Sequence, residues 1–175
     1  MSDATVTSDD ARTSDDTVTM QGPLADRAAW STEYCPIGRS MQVIGTRSAM
    51  LLMREAYYGT TRFDDFARRV GITENVAAAR LRELTEAGLL RREPYQEPGQ
   101  RTRHEYRLTD KGRDLAPVVL GLFEWGAKHL AAEGRTPPRL RHAECGTDVH
   151  VAVTCDEHHD VPLREITVEP AVRTR

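Results

Sequence analysis

Two pairs of metal-binding side-chain types stand near the end of the 175-residue chain, His142-x-x-Cys145-Gly146 and Cys155-x-x-His158, with nine residues between the cysteines. Imidazole nitrogen and thiolate sulfur at ligand-x-x-ligand spacing are the donors that zinc gathers tetrahedrally. Val149, Val151 and Val153 alternate between the pairs as a strand would, so the segment has the outline of a miniature zinc ribbon, with His150 and His159 as alternative donors. The plainer reading is a metal-free strand pair carrying incidental polar residues. A module this small has little core of its own, so a bound metal would supply its folding energy. The third cysteine, Cys35, precedes Pro36 at the start of a helical pattern, where free N–H groups and the helix dipole favour a thiolate. It reads either as a redox or electrophile sensor or as a small buried capping residue. Three scattered cysteines do not make a disulfide framework, and a reducing compartment fits them better.

The other chemistry is cationic. The formal net charge is -3, but it is unevenly spread: residues 1–29 hold six acids against two arginines, whereas residues 80–113 hold nine bases against six acids. A mildly basic patch therefore sits in an acidic chain, and distribution matters more than total for a nucleic-acid partner.

Elements must position that patch. Residues 1–30, rich in Ser, Thr and Asp, lack apolar periodicity and are expected to be a disordered acidic tail. From Cys35, Ile37, Met41, Ile44, Leu51 and Leu52 recur at helical spacing, and Gly45 is expected to divide them into two helices. A short helix follows over about 62–70, ended by Gly71. Thr73 then caps another helix. At 100° per residue, Ala77, Leu81 and Leu84 share one face, while Asn75, Ala78, Ala79, Arg82 and Glu86 share the opposite one. After Gly88, strand-like runs at 89–95 and 103–108 flank the turn-rich loop Gln96-Glu97-Pro98-Gly99-Gln100-Arg101-Thr102. A last helix from Thr109 to about Glu133 is apolar over more than one stripe, which suits packing both on its own domain and on a partner chain.

The expected fold class is mainly α with a small β-hairpin wing, a winged helix-turn-helix. The expected domains are the tail at 1–30, a winged-helix DNA-binding and dimerisation domain at 31–134, and a linker with a small zinc-ribbon-like extension at 135–175. Short helix, turn, helix, strand, loop, strand suits duplex DNA, because a helix fits the major groove while a basic loop lies along phosphates or enters the minor groove.

Four ordered blocks carry a more specific likeness: Tyr34-Cys35-Pro36-Ile37-Gly38-Arg39, Arg62-Phe63-Asp64-Asp65-Phe66, Arg80-Leu81-Arg82-Glu83-Leu84 with Ala87-Gly88-Leu89-Leu90, and His104-Glu105-Tyr106-Arg107-Leu108-Thr109-Asp110-Lys111-Gly112. Over about residues 34–126 the chain resembles the HxlR-type winged-helix regulators. The resemblance implies a homodimer that binds operator DNA, as repressor or activator, and responds to a small-molecule effector or to redox or electrophile stress. It implies groove-facing Thr73, Asn75, Ala78, Ala79 and Arg82, with Arg101 and Arg103 serving the wing, and a switch role for Cys35 as in some members. Some HxlR-like regulators end in a module similar to the His142, Cys145, Cys155, His158 set. Where the family commonly has a Trp-Thr pair, this chain has Ser48-Ala49, a departure that would open space in the core.

An enzyme reading finds no Gly-rich phosphate loop, nucleophile elbow or carboxylate pair beside a histidine, and Asp64-Asp65 reads as a solvated helix edge. With no apolar run long enough to span a bilayer and an N-terminus unlike a signal peptide, the expected location is the cytoplasm. The alternative function is a protein-interaction or adaptor module that ignores DNA, which the acidic balance would also suit.

Overall fold

The computed structural model describes residues 16–31, 33–96, 99 and 101–170, and the chain forms two compact units. The larger, residues 32–151, begins with α1 (Pro36–Ile44) and α2 (Arg47–Tyr57). Gly45 separates them as expected: a Cβ there would drive into the Met41 carbonyl oxygen, so the chain turns at the one residue without a side chain. Thr46 then starts α2 by accepting the Ala49 N–H at 3.1 Å. Next come α3 (Phe63–Val70) and α4 (Glu74–Glu86), then the antiparallel hairpin of β2 (Leu90–Tyr95) and β3 (Arg103–Leu108), in register from Leu90↔Leu108 to Tyr95↔Arg103. Thr61 and Arg62 add a rudimentary third strand: Arg62 bridges to Glu105, and the Tyr106 N–H donates to the Thr61 carbonyl at 2.8 Å.

The predicted single helix from Thr109 is two helices, α5 (Asp110–Asp114) and α6 (Ala116–His129), and it ends short of Glu133. Pro117 explains the break. It has no N–H to give and its ring excludes a helical residue packed against it, so Leu115 closes one helix and Pro117 occupies the first turn of the next.

The core is the meeting point of α2, α3, α4 and the hairpin. Leu52, Met53, Phe66, Leu81, Leu84 and Leu90 are fully buried, Tyr106 meets Phe66 edge-on at 6.1 Å, and Tyr57 donates to the Gly112 carbonyl at 2.5 Å. Burial pushes the Tyr57 hydroxyl up to about 12, so it stays a donor. Gly112 is needed at this joint, because a Cβ would collide with the Leu89 carbonyl oxygen. By contrast, α6 buries none of its side chains fully, and Val118, Leu122 and Trp125 stand about half exposed.

Downstream of α6, the Glu124 carboxylate accepts the Val151 N–H at 2.9 Å and bonds His150 Nδ1 at 2.7 Å, contacts that hold its pKa below the ordinary carboxylate range, the Val151 bond most of all. The expected strand through Val149, Val151 and Val153 is not formed. The three valines are exposed, and the local pairing is two isolated bridges, Arg141↔Asp148 and Thr154↔Asp160, because each ligand-x-x-ligand segment turns back on itself before a ladder extends.

The smaller unit joins residues 1–31 with 152–175. Within the segment read as a tail, residues 16–31 have structure: β1 (Thr19–Met20) pairs in parallel with β4 (Thr167–Val168), followed by 3-10 turns at Gly22–Ala25 and Arg27–Ala29. Backbone pairing with a distant strand supplies the order that local apolar periodicity does not. The expectation for residues 1–15 lies outside the described residues.

Candidate nucleic-acid interface

The proposed reading helix is α4. Thr73, extended at φ -68° and ψ 153°, accepts the Val76 N–H at 3.4 Å as its N-cap, and Ala77, Leu81 and Leu84 seat the helix in the core. On the other side Asn75, Ala78 and Arg82 are exposed and Ala79 is half-buried, as the helical wheel required. The capping bond uses one of the Thr73 hydroxyl's two lone pairs and leaves its O–H free to donate. The two arginines of α4 differ. Arg80 is bound to Glu83 one turn on, whereas Arg82 has only a loose 3.9 Å approach to Glu86, with both side chains more than two-thirds exposed.

The far end of α4 is welded to the wing. Lys111 Nζ donates to the Ala87 carbonyl at 2.7 Å and the Thr109 hydroxyl to the Gly88 carbonyl at 2.6 Å. The Thr-Asp-Lys-Gly block thus caps the carbonyls that the helix leaves open and fixes where the hairpin departs. Within the wing, Glu105 is buried, and its pKa is lowered chiefly by the hydrogen bond from Arg107, with Arg62 and Thr61 adding to it against desolvation. Arg107 reaches Glu105 at 2.8 Å and Arg91 pairs with Glu93. Arg101 and Arg103 are exposed, and the other loop residues 97, 98 and 100 lie outside the described residues. Sequence reasoning missed Arg92 and His104, which meet across the hairpin at 3.0 Å (Nη2 to Nδ1). Their cross-strand pairing is set by register, and only the two-residue offset from Arg92↔Tyr106 to Pro94↔His104 could have signalled it.

A 38% identical HTH-type transcriptional regulator of Mycobacterium tuberculosis, Rv3095, aligns over 77% of this chain and 84% of its own length. YybR of Bacillus subtilis, also named an HTH-type transcriptional regulator, is 37% identical over 54% of this chain and 74% of its own. The model of a family described as HxlR-like helix-turn-helix matches residues 43–134. The chain belongs to the HxlR-like helix-turn-helix family. Among solved structures, PA1607, described as a candidate transcription factor, superposes with a TM-score of 0.71 at 33% identity over 79% of this chain and 96% of its own. The redox regulator HypR in its oxidised form superposes at 0.51 with 34% identity over 56% of this chain and all of its own. This HxlR-like protein is accordingly a transcription regulator of winged-helix architecture, as the sequence blocks implied.

Its remaining candidate residues are dispersed. Cys35 is half-buried at the N-cap of α1 and gives no side-chain cap. His142 Nδ1 lies 3.2 Å from Cys145 Sγ, and the Thr147 hydroxyl at 2.9 Å leads the contacts that bring the Cys145 thiol down to about 7. In the smaller unit, Cys155 and His158 close a turn through the His158 N–H to the Cys155 carbonyl at 2.8 Å, with His158 at φ 61°. Among the described residues no three His, Cys, Asp or Glu side chains gather as a metal site, and no helix is long and apolar enough to cross a membrane. An apolar cavity of about 230 Å³ lies between α2 and α6, lined by Met50, Leu51, Arg54, Tyr57, Val119 and Phe123; it is not lined by Ser48 or Ala49, where the family departure suggested space.

Proposed function

We propose that this regulator binds a specific operator as a homodimer, with α4 in the major groove and the wing on the flanking backbone. One observation carries the reading: α4 buries one face in the core, exposes Asn75, Ala78 and Arg82 on the other, and is fastened at its end to a hairpin bearing exposed arginines. A helix held this rigidly and lined with small residues can enter a groove closely, and arginine and asparagine are the side chains that read guanine and adenine edges. Exposed Ile37 and Met41 on α1 and Val118, Leu122 and Trp125 on α6 supply the apolar surface for a second copy.

Response to a small effector is supported by the apolar cavity between α2 and α6, since a ligand there would shift the helix that carries the dimer surface against the one that anchors α4. A redox response through Cys35 gains support from the likeness to HypR. The test is binding of the full-length protein to duplexes from the DNA upstream of its own gene, against random duplexes, across a salt series. With six to ten phosphate contacts, affinity for one upstream duplex falls about 10³–10⁵-fold between 50 and 200 mM salt. Equal affinity for every duplex refutes recognition of a specific operator, and no binding to any duplex returns the protein to the adaptor reading.

A further inference from the structure

The arginines of the wing fall into two groups by their partners. Arg91 is neutralised by Glu93, Arg107 by Glu105, and Arg62 lies 3.7 Å from Glu105 with its guanidinium 3.1 Å from the centre of the Tyr95 ring. These three brace the hairpin. Arg92 and Arg103 have no carboxylate partner among the described residues, and Arg92's contact is His104 Nδ1. Arg92, Arg103, His104 and Arg62 all line one cleft of about 580 Å³ between the start of α3 and the hairpin, where Asp64 is the one carboxylate among the described lining residues and Tyr95 forms part of the wall.

Gathering guanidinium groups in a concavity raises the local positive potential, because low-dielectric walls focus the field. The arrangement is relieved by an anion that accepts from several directions at once. Guanidinium forks match phosphate oxygens in geometry, and donors coming from two strands surround a tetrahedral group better than a planar carboxylate. His104 adds to this donor set. With Nδ1 accepting from Arg92, the ring's proton is on Nε2, a further donor, and the Arg92 side chain is held in place.

We propose that this cleft is a phosphate-binding site, with Arg92 and Arg103 as ligands and His104 as the residue that positions Arg92. The phosphate comes either from the DNA backbone flanking the operator or from a free phosphorylated small molecule. The first source rests on the operator-binding reading above and the second does not.

The experiment uses the full-length chain, labelled with nitrogen-15, titrated with inorganic phosphate at constant ionic strength while the Arg92 and Arg103 side-chain and His104 ring signals are followed. Wild-type, Arg92→Ala and Arg92→Lys proteins with matching thermal unfolding are then compared in duplex binding across a salt series. The expected result is saturable perturbation of those three residues that Arg92→Ala abolishes, with duplex affinity down several-fold, a salt slope shallower by about one, and partial recovery in Arg92→Lys. Saturable phosphate binding with unchanged duplex affinity in Arg92→Ala supports the site and assigns it to a free phosphorylated molecule. Phosphate saturation in a wild-type protein that binds no duplex also supports the site while refuting operator binding. Unsaturable, residue-independent shifts together with an unchanged salt slope overturn the proposal.

Discussion

Arg80 and Arg82 stand two residues apart on α4, yet their surroundings assign them different roles. Arg80 is closed onto Glu83 and only about a third exposed, so its charge is neutralised within the helix; Arg82 is two-thirds exposed and loosely paired. Exposed ion pairs of this kind contribute little to stability, so removing either arginine should leave the fold intact. In duplex binding, Arg82→Ala is expected to cost about 1–3 kcal/mol and relax discrimination at one base pair, while Arg80→Ala stays near wild type. Binding isotherms on the operator and on single-base variants check this, and equal losses for both would take Arg82 off the reading face. The exposed residues of α4 were legible because a helix repeats every 3.6 residues and a wheel needs no tertiary information. Arg92 and His104 were not, since their meeting depends on strand register and on a third strand at Thr61 and Arg62 far away in sequence.

At the scale of elements, local signals performed well where one residue decides the backbone. Gly45 divides α1 from α2 and Thr73 caps α4, both visible as residue types. The break at Leu115 was equally available in Pro117, but the apolar periodicity running through it argued for one helix, and ring sterics won. The C-terminal extension shows the opposite limit. Alternating valines predict a strand only where a partner ladder exists, and here His142 to Gly146 and Cys155 to His158 fold into separate turns. Each of those turns carries one histidine and one cysteine, and in the first His142 Nδ1 and Cys145 Sγ are in contact. We carry zinc in this extension as a proposal: elemental analysis of protein purified without chelator should find about one zinc per chain, and its removal should release the turns to fast hydrogen exchange. Protein without stoichiometric zinc and with unchanged exchange after chelation would leave the extension a metal-free appendage.

At the scale of the molecule, recognition by a winged helix depends on how far apart two copies of α4 are held. The apolar residues left uncovered on α1 and α6 lie on elements outside the reading hairpin, so a second chain can cover them and leave α4 and the wing free. Whatever shifts α6 against α2, including a molecule in the cavity between them, would change that spacing and hence operator affinity. The exposed apolar surface of α6 was legible as a helix apolar on more than one side; the cavity was not, because its walls come from helices some 70 residues apart in the chain. Hydroxyl-radical footprinting of the full-length protein on its upstream DNA tests the central claim most directly. Two protected patches of equal depth, centred about one helical turn (34–36 Å) apart and lost together on dilution, are the predicted outcome. A single patch at saturation, or uniform protection independent of sequence, would contradict paired presentation of α4 to the duplex.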